Sequence, residues 1–172
     1  MNLYLRNTAI FFLYLLAQVL IFRHLTLFET ASAHIFLVSL LILPVNTPFP
    51  VLILMGFFAG LLVDLLSFGP FTGISSFSAV LMLSLRNAWV FLITNRSSFR
   101  GSEETLIRVQ PIGWLLQYMV PLILLYELSY HLLEAFGFED FGITMLRFIT
   151  STLYTLLVCL IFTYWLHQDY KR

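Results

Sequence analysis

Charge is what this chain has least of. Its 172 residues include nine cationic and nine acidic side chains, 10% in all, balanced to zero net charge. A soluble domain carries roughly a quarter charged residues. The shortage leaves too little polar surface for a water-soluble globule, and the scattered cations form no basic stripe for nucleic acid. Cysteine is nearly absent. Cys159 stands alone in an apolar stretch, so no internal disulfide and no metal-type cysteine spacing exist. Catalytic motifs are missing too: no phosphate-binding glycine loop, no nucleophile elbow, no HExxH. Asp64 has no second aspartate inside an apolar segment, and every histidine lies near a predicted helix end. Neither a two-aspartate nor a serine–histidine intramembrane hydrolase is therefore expected, nor a cofactor.

What is present is apolar. The chain is 60% hydrophobic, has eighteen phenylalanines and a mean hydropathy of +0.92. A membrane-spanning helix needs about 20 mostly apolar residues. Six segments fit, near 8–28, 31–45, 51–66, 71–94, 111–136 and 141–166, and they predict one all-α transmembrane domain, residues 1–172. The second and third are short, joined by the proline turn Pro44-Val-Asn-Thr-Pro48-Phe-Pro50. Five spans, with one of these two fused or demoted, is the competing reading. Residues 95–110 form the one sizeable polar stretch and read as a loop.

Lysine and arginine placement predicts orientation. With six spans, Arg6, Arg96, Arg100, Arg108, Lys171 and Arg172 fall on one side and Arg23 alone on the other. Both termini and the 95–110 loop are then cytoplasmic. Ala31-Ser-Ala33 has the form of a signal-peptidase site, but the apolar run before it is long for a signal peptide, so the first helix is read as uncleaved. Tyr4, Tyr164, Trp165 and Tyr170 sit at predicted cytoplasmic borders, where interfacial aromatics anchor helices.

Gly56, Gly60 and Asp64 are spaced by four along one helical stripe, with Ser67 close to it. Small residues at this spacing let membrane helices approach closely. A carboxylate in an apolar helix needs a buried partner. Asp64 lies about 20 Å along its helix and Arg147 about 9 Å into the last one, at 1.5 Å per residue. Glu127 falls in the same outer half. Arg147 is therefore expected to be the buried counter-ion of Asp64, of Glu127, or of both. Glu127, His131 and Glu134 share a face at i, i+4 and i+7, open to a metal site, a proton relay or a watery helix end. The last is preferred, since zinc needs three or four convergent ligands. Pro121 is expected to kink that helix. Ser75, Ser78, Met82 and Arg86 form a further stripe, with Arg86 placed to snorkel toward phosphates.

The order Gly-x-x-x-Gly60, apolar pair, Asp64, Leu-Leu-Ser67, then Pro70-x-x-Gly73 opening the next helix resembles the rod-shape-determining protein MreD family. The layout agrees along the whole chain; the specific motif covers about residues 56–73. Thr72-Gly73-Ile-Ser lacks the histidine often found shortly after that glycine, so no role of that histidine carries over. The resemblance implies a non-enzymatic subunit of the bacterial cell-wall elongation machinery in the inner membrane. Its implied partners are the scaffold MreC, the MreB filament, RodA and a penicillin-binding transpeptidase. It implies a fold similar to the substrate-binding components of energy-coupling-factor vitamin transporters, which leaves vitamin uptake as the alternative. Gly56, Gly60, Asp64, Ser67, Pro70 and Gly73 are the expected packing or partner surface; the glycine face could equally be internal.

Overall fold

The computed structural model describes residues 11–22, 32–44, 46–67, 72–93, 111–135 and 141–171. Among them 88% are helical and none is in a strand. The first helix, α1, runs over 11–17 and closes in a π-helical stretch, Gln18–Phe22. It is followed by α2 (Phe36–Leu41), α3 (Phe49–Ser67), α4 (Ile74–Ile93), α5 (Ile112–Glu134) and α6 (Phe141–Lys171). Helices α3 to α6 pack in sequence, each on the next. The 95–110 loop and Pro70 lie outside the described residues, as do Arg6, Arg23, Arg96, Arg100, Arg108 and Arg172.

Among the described residues, three helical stretches are long and apolar enough to cross a membrane: Phe49–Ser67, Ile74–Ile93 and Gly142–Trp165. Their outward faces are at least as apolar as their inward ones, with Leu92, Leu153 and Trp165 well exposed while Asp64, Arg86 and Thr155 are buried. Amphipathic patterning is correspondingly weak, because lipid and bundle interior select similar side chains.

The segment expected to span near 31–45 does not do so as a helix. Among its described residues the only α-helix is α2, six residues, about 9 Å long at 1.5 Å per residue. Ser32, Ala33 and His34 lead into it without helical structure, and Ile42 to Pro44 leave it. From Ala33 to Ile42 every residue is buried. We refer to residues 32–44 as the inner leg. It touches α3 and α6 and runs inside the bundle rather than along its outside. Irregular backbone at membrane depth is tolerated only where protein encloses it and satisfies its polar groups.

Pro121 sits inside α5 without ending it. A proline lacks the N–H that would bond the carbonyl four residues back, here that of Gln117. The indole Nε1 of Trp89 on α4 donates to that oxygen instead, at 3.2 Å. The proline's cost is thus met by a cross-helix bond.

Candidate functional site

The Gly56–Gly73 stripe is an internal joint between α3 and α4. Gly56, Ala59, Gly60, Val63 and Asp64 are all buried. A Cβ at Gly60 would lie 2.5 Å from the Ser76 backbone nitrogen and 2.6 Å from the Ser75 carbonyl carbon, which cannot yield. At Gly56 it would press on the flexible Leu83 Cδ1 end, with the Ala79 carbonyl oxygen at an ordinary 3.6 Å. Gly60 is therefore where the two backbones touch.

Asp64 closes the same joint. Its Oδ2 accepts the backbone N–H of Gly73 at 2.8 Å and of Ser75 at 3.1 Å. These are free donors at the start of α4, where the helix dipole also favours an anion. Gly73 adopts φ 104, a conformation glycine reaches without strain. The aspartate on α3 thus caps α4 across the turn.

The expected ion pairs with Arg147 are not formed. Arg147 is exposed on α6, and among the described residues no ion pair joins it to Asp64 or Glu127. Backbone amides serve Asp64 in its place. Arg86 also departs from expectation. It is fully buried rather than snorkelling outward. Its Nε donates to Tyr118 Oη at 2.7 Å, its Nη2 donates to the Leu43 carbonyl, and Tyr118 Oη donates to the Leu41 carbonyl at 3.0 Å. The cation thereby closes the carbonyl end of the inner leg, as cations do at helix C-termini.

The other end of the leg carries the densest polar cluster. His34 N–H donates to Thr155 Oγ1 at 3.1 Å, and Ser32 N–H to Ser151 Oγ at 3.1 Å. Gln18, in the π-helical end of α1, takes the Ile35 N–H at 2.6 Å and gives its Nε2–H to the Ala33 carbonyl at 2.9 Å. Glu127 on α5 sits beneath, fully buried. Its Oε1 accepts the Thr155 hydroxyl at 2.7 Å and lies 3.0 Å from His34 Nδ1. Its Oε2 faces His131 Nε2 at 3.5 Å, and His131 Nδ1 is 3.1 Å from Glu134 Oε2. The rings of Tyr126 and Tyr130 stand 5.2 and 4.8 Å from His34.

Helix position puts His131 near water; the structure buries it and leaves Glu134 as the half-buried member. His34 gives no sequence signal of its own, because a histidine in a short apolar segment reads as a helix-end residue. The signal available was the set Gln18, His34, Thr155 and Glu127, four polar residues inside four different apolar runs. Among the described residues no group of three or more His, Cys, Asp or Glu side chains is arranged to hold a metal ion. An open groove of about 310 Å³ runs between α3 and α4, lined by apolar residues such as Phe57, Leu61 and Val80. Its polar lining is confined to Thr72, Gly73 and Ser76.

The described structure is thus a helical bundle with three helices able to cross a membrane. Comparison with known families, with curated proteins and with solved structures finds no match for the chain.

Proposed function

We propose that this chain is a non-enzymatic membrane subunit of the bacterial cell-elongation complex, acting in the inner membrane by binding MreC. The observation that carries the reading is the Gly56–Gly73 segment, whose residue order resembles that of the MreD family. Its parts serve architecture: a close helix contact at Gly60, a cap from Asp64 and a glycine turn at Gly73. In this reading both termini face the cytoplasm, and the six apolar segments remain in the membrane with the inner leg enclosed by the others. MreB, RodA and a penicillin-binding transpeptidase are reached as parts of the same complex.

Since α4 occupies the glycine face, a transmembrane helix of MreC docks on an outward apolar surface. The test is co-purification of tagged chain and MreC from membranes. A stable complex is expected, retained when Gly56 is replaced by alanine. No complex under conditions where both proteins are folded would overturn the reading.

A second reading, a substrate-binding component for vitamin uptake, draws on the polar cluster around Glu127. That cluster is filled by its own side chains: Glu127 is 0% and His34 5% exposed. Tight binding of a vitamin by the purified chain, with no MreC complex, would favour this second reading.

A further inference from the structure

His131 is held between two carboxylates, and the proton count of that row does not close with a neutral ring. Nε2 faces Glu127 Oε2 at 3.5 Å and Nδ1 faces Glu134 Oε2 at 3.1 Å. A neutral imidazole has one N–H and one lone pair. The 3.1 Å contact to Glu134 requires a hydrogen on Nδ1, and Nε2 of a neutral ring then turns its lone pair on the buried Glu127 Oε2; moved to Nε2, the hydrogen closes that pair but leaves Nδ1 and Glu134 Oε2 facing as two acceptors at 3.1 Å. Glu127 Oε2 and His131 Nε2 are both buried and have no other hydrogen-bond partner. Two facing acceptors shut away from water are costly unless a proton lies between them. Glu127 cannot turn away, because its Oε1 is already engaged by Thr155 and His34.

We propose that His131 is a proton-binding site, an imidazolium donating from both ring nitrogens to Glu127 and Glu134. The row then carries one proton more than two carboxylates and a neutral ring. Charged and titratable groups face the row from several elements. On α5, Tyr126 and Tyr130 flank the row; on α3, Asp64 is close enough to act electrostatically on both tyrosines. On the inner leg His34 approaches Glu127 from the opposite side. On α6, Cys159 lies near Glu127, and Arg147 acts on Glu134 through space. From α4 the Ser75 hydroxyl approaches Tyr126, and from α1 the uncharged Gln18 holds the leg. Glu134, with 37% of its side chain exposed, is the row's contact with the surroundings. The bound proton sits one carboxylate away from the inner leg, since Glu127 stands between His131 and His34. The site is the same whichever partner the protein serves.

The experiment is nitrogen-15 NMR of histidine-labelled full-length chain in lipid nanodiscs at neutral pH, with the His131 signals assigned by their loss in His131→Gln. Both ring nitrogens of His131 are expected to be protonated. In Glu134→Gln the new amide donates to Nδ1, so the ring needs one proton and becomes the neutral Nε2–H tautomer. In Glu127→Gln the amide donates to Nε2, and the ring becomes the neutral Nδ1–H tautomer. Both replacements keep side-chain size; should the buried one fail to fold, Glu134→Gln decides alone. A neutral His131 in the unmodified chain would overturn the proposal. So would an unchanged ring in Glu134→Gln, or added zinc shifting the His131 and His34 nitrogens together.

Discussion

At the scale of single residues, identical chemistry does opposite things depending on what stands opposite. Thr155 and Thr152 lie three positions apart on α6, both buried. Thr155 Oγ1 takes the His34 amide and gives its proton to Glu127, whereas Thr152 Oγ1 has no partner. Thr155→Val should cost about 1–3 kcal/mol, because it strands a buried donor and a buried carboxylate. Thr152→Val should be near neutral. Thermal melts of the two variants in detergent check this, and equal shifts would contradict it. Asp64 poses a parallel question, charge or cap. Asp64→Ala should cost about 1 kcal/mol, the usual worth of a helix N-cap, while Asp64→Asn keeps an acceptor and most of the stability. Arg147→Ala should leave the melting temperature almost unchanged, since its side chain is exposed. A large loss in Arg147→Ala, matched by Asp64→Asn, would restore the buried ion pair that sequence position had suggested.

At the scale of elements, the α3–α4 joint depends on one backbone contact. Gly60→Ala places a Cβ against the Ser76 backbone and should cost about 1–3 kcal/mol, the range of an overpacked core. Gly56→Ala presses on the tip of Leu83 and should cost less, because that side chain can rotate away. The ratio of folded yields, or of melting temperatures, distinguishes them. The Gly-x-x-x-Gly spacing treats the two positions as equivalent; only the crossing of the helices makes one of them the contact point. The α5 proline follows the same logic. Pro121 is obvious in the sequence, yet its consequence is set by Trp89 on a neighbouring helix.

At the scale of the whole molecule, the inner leg is the organising element. Residues 32–44 are held by Gln18 from α1, Arg86 from α4, Tyr118 and Glu127 from α5, and Ser151 and Thr155 from α6. Side chains from four helices thus satisfy a backbone that lacks a full helix of its own. Hydrogen exchange in nanodiscs should find the amides of Ser32, His34 and Ile35 as protected as those of helix interiors, although their backbone is not α-helical. Gln18→Leu should release the protection of Ile35 without opening α3 or α4. Rapid exchange across the leg in the unmodified chain would contradict its enclosed position.

Much of this was legible without coordinates. Scarce charge and long apolar runs were sufficient to predict a helical membrane bundle, because composition alone decides whether a chain can present a polar surface to water. Helices α3 and α4 were placed within a few residues, since glycine, proline and hydropathy punctuate them locally. The Gly56–Asp64 stripe followed from helical spacing. What composition and periodicity could not contain was the choice of partners. Depth pairs Asp64 with an arginine, but it binds amides at a helix start just beyond a turn, a contact that depends on chain direction. The 31–45 segment reads as a span because its residues are apolar. Apolar residues are equally suited to lipid and to a protein interior, so only the packing decided that this segment lies inside. That decision in turn made Gln18, Arg86, Glu127 and Thr155 necessary, since a buried, incompletely helical backbone must find its hydrogen bonds from somewhere else in the fold.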